Sequence, residues 1–145
     1  MTTLLNKAPH LARYALGTIF FVFGLNGFLH FLPQPPMTGA PLDFVMALVA
    51  SGYVIPVLKG SEVIAGALLL SNRFVPLALA LLAPAVVGIV GFHTLLAPAG
   101  FPMALLVLVL ELYLAWSYRR AFRPMLQAHT EPAERSALVT AHGVA

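Results

Sequence analysis

Residues 74–96, FVPLALALLAPAVVGIVGFHTLL, hold no charged side chain. At about 1.5 Å of rise per residue, a helix of that length matches the roughly 30 Å hydrocarbon core of a bilayer. A helix in a small soluble domain keeps a polar face for water, whereas one surrounded by lipid has no such need. Three more runs of the same character flank it, at about Ala12–Leu32, Tyr53–Ser71 and Phe101–Ala121. Over all 145 residues the chain is 60% hydrophobic and 9% charged, with a mean hydropathy of +0.91. A soluble surface carries charge at roughly a quarter to a third of its positions, so the soluble class is excluded. The predicted fold class is all-α, an integral membrane four-helix bundle.

The first run contains Arg13, Asn26 and His30 as its strongly polar members and stops at Pro33. Lys7 ahead of it has the outline of a secretory signal, but Gly24 to Pro36 offers no small-x-small cleavage site, so a retained span is expected. Pro33, Pro35, Pro36, Gly39 and Pro41 then break the helix. Leu42–Ala50 is apolar but too short to span, and is expected as a short interfacial helix between the first and second spans. Asn72-Arg73 and Ala97-Pro98-Ala99-Gly100 leave room only for tight turns, which makes successive spans antiparallel. These segments form a transmembrane domain over residues 1–122. After it, Arg123–Ala145 loses apolar periodicity, carries Glu131, Pro132, Glu134 and Arg135, and is expected as a flexible cytoplasmic tail.

Lys7, Arg13, Arg73, Arg119, Arg120 and Arg123 fall on the side shared by both termini, while the opposite loops carry only Asp43. The positive-inside bias therefore places both termini in the cytoplasm, in a bacterial inner membrane. Tyr14, Trp116 and Tyr118 suit an inner aromatic belt and Tyr53 an outer one. The formal charge of +3 and isoelectric point near 9.7 thus have a topological explanation, and nucleic acid is not an expected partner. The absence of cysteine excludes disulfides, thiolate metal sites and dithiol redox chemistry.

Ionisable side chains inside hydrocarbon are costly unless they meet a partner or water. His30 lies within roughly 5 Å of the outer end of its span, with Asn26 about one turn deeper on the same face. Lys59 and Glu62 lie roughly 9 to 14 Å below the outer end of the second span, three residues apart and so able to pair. His93 enters roughly 5 Å below the same edge from the third span, and Glu111 reaches about 15 Å from the fourth. Asn26, His30, Lys59, Glu62, His93 and Glu111 are therefore the candidate lining of an outward-opening polar pocket. The alternative is that Lys59 and Glu62 merely neutralise each other while the two histidines sit in wet interfacial positions. Gly17, Gly24, Gly27 and Gly66 suit close helix packing, and Pro84, deep in its span, points weakly to a kink or cavity. A faint echo links Gly27-Phe28-Leu29-His30 to Gly91-Phe92-His93, but unequal loops and the unmatched positions of Glu62 and Glu111 argue against duplication.

Several spaced motifs combine into a family resemblance. They are Arg13-x-x-x-Gly17-x-x-Phe20, Gly24-x-Asn26-Gly27-Phe28-x-His30-Phe31, Lys59-x-x-Glu62-x-x-x-Gly66 running on to Asn72-Arg73-Phe74, and then Pro84 and Phe92-His93. From about Leu11 to Arg123 the chain resembles the DoxX-like family. The pattern departs at Gly88, where the family would place Asn, so no polar role carries over to that position. The resemblance implies a four-helix membrane protein, in some relatives linked to quinone-dependent sulfur oxidation or to membrane complexes that manage oxidative stress. It does not imply a settled reaction.

Four readings of function follow. One is an accessory or chaperone-like subunit that recognises a membrane-protein partner, a lipid or a second copy of itself. Another is a quinone-linked redox subunit, in which His30, His93 or Glu62 bonds the quinone head and a partner supplies the electron carrier. A small transporter would use Lys59, Glu62 and Glu111 as a route, and would have to oligomerise to enclose it. Haem between His30 and His93 is disfavoured, because Lys59 and Glu62 would occupy part of its slot. No metal site is expected, since no pair of ligands has close spacing within one helix.

Overall fold

Prolines, glycines and left-handed residues punctuate the chain, and apolar helix-forming runs fill the intervals. The computed structural model describes residues 2–33 and 36–130; the tail from residue 131 lies outside the described residues. Among these, helix is the only regular structure: α1 (Thr2–Leu29), α2 (Ala40–Ala50), α3 (Val54–Leu70), α4 (Val75–Leu95), α5 (Phe101–Ser117) and the short α6 (Arg119–Phe122). Among the described residues three stretches are long and apolar enough to cross a membrane, namely Lys7–Leu29, Val75–Leu95 and Pro98–Ser117. A fourth exists if α2 and α3, bent by 90° at their junction, are taken as one broken span.

The boundaries differ from the sequence reading in three places. First, α1 begins well before Ala12, because only Pro9 interrupts that stretch and a single proline removes one backbone donor. It also ends at Leu29 and not at Leu32. His30 takes a left-handed conformation with φ 51°, and the Leu32 amide leaves the helical ladder to donate to Asn26 Oδ1 at 2.6 Å. Second, α3 alone is 17 residues, about 26 Å long and a few ångströms short of a bilayer core. Third, the last span breaks at Tyr118, so α5 stops at Ser117 and α6 continues it separately.

A Schellman turn closes α3. Asn72 is left-handed, with φ 57°, its amide donates to Leu69 O at 3.2 Å, and the Arg73 amide reaches Leu68 O at 3.0 Å. Hydroxyls within the apolar helices bond their own backbone, as Ser61 does to Leu58 O at 2.8 Å and Ser117 to Tyr113 O at 2.8 Å. That removes their need for water.

α1 and α3 run antiparallel and pack most closely. A side-chain carbon at Gly66 would meet Phe21 N at 2.6 Å and Gly17 O at 2.9 Å, and one at Gly24 would meet Val63 N at 2.9 Å. Only glycine permits backbones to approach this far. α3 packs on α4, α4 on α5, and α5 returns to α1. The core between them is apolar, with Leu16, Phe20, Leu69, Leu79, Leu82 and Leu114 fully buried. The outer faces are apolar as well: Val87 is 70% exposed, Leu95 79% and Leu112 60%.

Candidate functional site

Lys59 and Glu62 lie on α3 three residues apart, the spacing that makes helix residues neighbours. Lys59 Nζ donates to Glu62 Oε2 at 2.8 Å. The two partners differ in environment, since the Glu62 side chain is 3% exposed and that of Lys59 25%. The carboxylate is thus withdrawn from solvent and answered by one ammonium, which keeps two further N–H donors. Gly27 of α1 makes room for this arrangement: a side chain there would collide with Lys59 Cγ and Cδ.

His93 lies in the last turn of α4. Its Nδ1 is 3.0 Å from Ala97 O, in the α4–α5 connection. A carbonyl oxygen only accepts, so Nδ1 carries the hydrogen, and this tautomer leaves Nε2 as the acceptor of the ring. The ring sits against Gly100, where any side chain would overlap it. Phe92 meets the ring edge-on, with centroids 5.2 Å apart, and Phe44 of α2 packs on Phe92 at 5.8 Å. Through this contact α2 supports the His93 turn.

Lys59, Glu62 and His93 line one cavity of about 260 Å³ whose walls include Phe20, Ile89 and Val107, so that α1, α3, α4 and α5 all contribute. Phe23 and Met103 also line it and are 43% and 46% exposed, placing its mouth between α1 and α5. A larger groove of about 420 Å³ between α3 and α4 passes Leu58, Leu81 and Pro84 and has no charged lining residue. Pro84, a pointer to a cavity by its sequence position, belongs to this apolar groove and not to the polar one.

The other three candidates lie elsewhere. Asn26 is buried and serves the backbone, accepting from Leu32 N. His30 is exposed at the left-handed end of α1, beyond the helix face assigned to it with Asn26, and does not line the cavity that His93 enters. Glu111 is buried on the inward seam of α5 between Val107 and Leu114, and its Oε2 has no partner among the described residues. Among those residues no group of three His, Cys, Asp or Glu is placed to share a metal ion.

Arg13, counted above among flanking cations, is buried. Its Nη1 donates to Leu69 O and, at 3.3 Å, to Leu70 O, and its guanidinium lies 4.4 Å from the Tyr14 ring centroid. The sequence signal for this role is the spacing of Arg13, Gly17, Gly24 and Gly27, which places Arg13 on the glycine face that meets α3. No protein-family model, curated protein or solved structure matches the chain.

Proposed function

We propose that the chain is a DoxX-like four-helix integral membrane protein of a bacterial cytoplasmic membrane. In this reading it is an accessory subunit that binds a membrane-protein partner and holds the polar end of an amphipathic molecule in its cavity. Three apolar helices of spanning length, a fourth assembled from the bent pair, and an apolar exterior support the membrane assignment. The basic end formed by Arg73, Arg119 and Arg120 faces the cytoplasm. Between lipid-embedded helices no hydrophobic force acts, so the glycine contact of α1 with α3 supplies the packing that holds them together.

The observation that carries the reading is the placement of the Lys59–Glu62 pair and His93 on one apolar-walled cavity. Few oriented polar groups among apolar walls are the usual make-up of a small-molecule site. The salt bridge uses the two charges on each other, and the remaining Lys59 donors and His93 Nε2 are left for recognition. A quinone-linked redox subunit is the second reading, supported by the spare Lys59 donors, which suit a quinone carbonyl, and by His93 Nε2, which can accept only from the hydroxyl of the reduced quinol. It requires the electron carrier to come from the partner.

Purification in mild detergent, followed by mass spectrometry of small molecules and proteins together, tests the proposal. The expected result is a stoichiometric membrane-protein partner and a bound amphiphile that Glu62→Gln loses. A chain that purifies with neither overturns it, and a bound quinone without a partner moves the assignment to the second reading.

A further inference from the structure

The size and chemistry of the cavity define the class of molecule it accepts. At about 260 Å³ it falls below the roughly 300 Å³ where ligand pockets usually begin, so it encloses a head group and leaves a longer body outside. The mouth between Phe23 and Met103 opens on the apolar flank of α1 and α5, where a hydrocarbon tail is compatible with its surroundings. An anionic head is disfavoured. Lys59 is already answered by Glu62, and a ligand carboxylate or phosphate would compete for it and leave a buried carboxylate unpaired. A cationic head would meet Lys59 at the same cavity wall.

What remains is a neutral head that accepts and donates at once. Lys59 has spare N–H donors, and His93 Nε2 is an acceptor because Nδ1 is committed to Ala97 O. A hydroxyl satisfies both, whereas an ether or ketone leaves the His93 acceptor without a donor. We infer that the cavity binds the hydroxyl end of a neutral single-tailed amphiphile, an alcohol or phenol, through Lys59 and His93, with its tail leaving between Phe23 and Met103. This inference rests on the proposed reading of the cavity as an amphiphile site.

The test uses full-length protein in lipid nanodiscs with ¹³C-methyl methionine, the Met103 resonance being assigned through Met103→Leu. Three probes share one tail: 4-octylphenol, its methyl ether and 4-octylbenzoate. The phenol is expected to shift the Met103 signal while leaving that of Met125 in place, and to saturate at about a five- to tenfold lower concentration than the ether, the factor for one hydrogen bond. The benzoate binds more weakly than the phenol, and His93→Phe brings the phenol to the level of the ether. Equal binding of phenol and ether, or tightest binding of the benzoate, overturns the hydroxyl assignment and leaves the amphiphile reading standing. No shift at Met103 with any probe overturns both.

Discussion

Arg13 of the first helix donates through its guanidinium to the carbonyl oxygens of Leu69 and Leu70, at the C-terminus of the helix it packs against. The contact joins residues 56 and 57 positions apart, and it answers the negative end of α3 with a cation. Arg13→Met is expected to lower stability by about 2 kcal/mol, the range for hydrogen bonds to a charged group. Arg13→Lys, whose nitrogen sits one bond closer to the backbone than the Nη1 that reaches both carbonyls, recovers only part of this. Thermal unfolding in mild detergent measures both, and an unchanged melting temperature for the Met variant would show that the clamp contributes nothing.

Glycine has a purpose in one place and not in another. Gly66→Ala forces a carbon against the backbone of Phe21 and Gly17, and should cost about 1–3 kcal/mol by pushing α1 from α3. Gly88→Ala, inside α4 with nothing within 4 Å, should stabilise by about 0.5–1 kcal/mol through reduced backbone entropy. The two variants compared in one unfolding assay should move in opposite directions.

Breaking the ion pair from either side should not be symmetrical. Lys59→Met leaves the carboxylate of Glu62 buried without its cation and is expected to cost about 3–5 kcal/mol. Glu62→Gln leaves only the more exposed Lys59 alone and costs less. Combining Lys59→Met with Glu62→Gln should recover most of the loss, so a double-mutant cycle in the unfolding assay reads the coupling directly. A coupling of zero would mean that the pair is not formed in the folded protein.

Gly100→Ala is expected to displace the His93 ring and break its bond to Ala97 O. The ¹⁵N imidazole spectrum should then lose the single fixed tautomer, and phenol binding should fall toward that of the His93→Phe variant. An unchanged tautomer signal would place the ring elsewhere.

His30→Gly should stabilise the protein by about 1 kcal/mol, since glycine holds a φ of 51° without the steric cost borne by a side chain. Because His30 does not line the cavity, phenol binding should stay within twofold of wild type. A large loss of binding would put His30 back in the site.

Much of this architecture is legible in the chain. The apolar runs and their proline and glycine boundaries locate the helices, and the two tight connections after α3 and α4 are readable from Asn72 and from Pro98 with Gly100. The start of α1 is less readable, because Pro9 looks like a stop although it removes only one donor. Of the six candidate polar residues, the Lys59–Glu62 pair follows from helical spacing alone, within a single element. The others depend on rotations about helix axes. Depth along a span is set by counting residues, but whether a side chain faces a cavity, a core seam or the outside depends on which helices surround it. That is why Glu111 at a suitable depth lies on a packed seam, and why His30, one turn beyond Asn26, falls past the end of its helix.

The sequence by itself determined helix, apolarity and the register of local pairs, because these follow from the side chains of consecutive residues and a fixed rise per residue. Tertiary packing alone decided which carbonyls Arg13 clamps, that Gly27 and Gly100 make room for Lys59 and His93, and that three polar groups from two helices share one cavity. Such relationships depend on the approach of backbones from distant parts of the chain, a distance that no local pattern encodes.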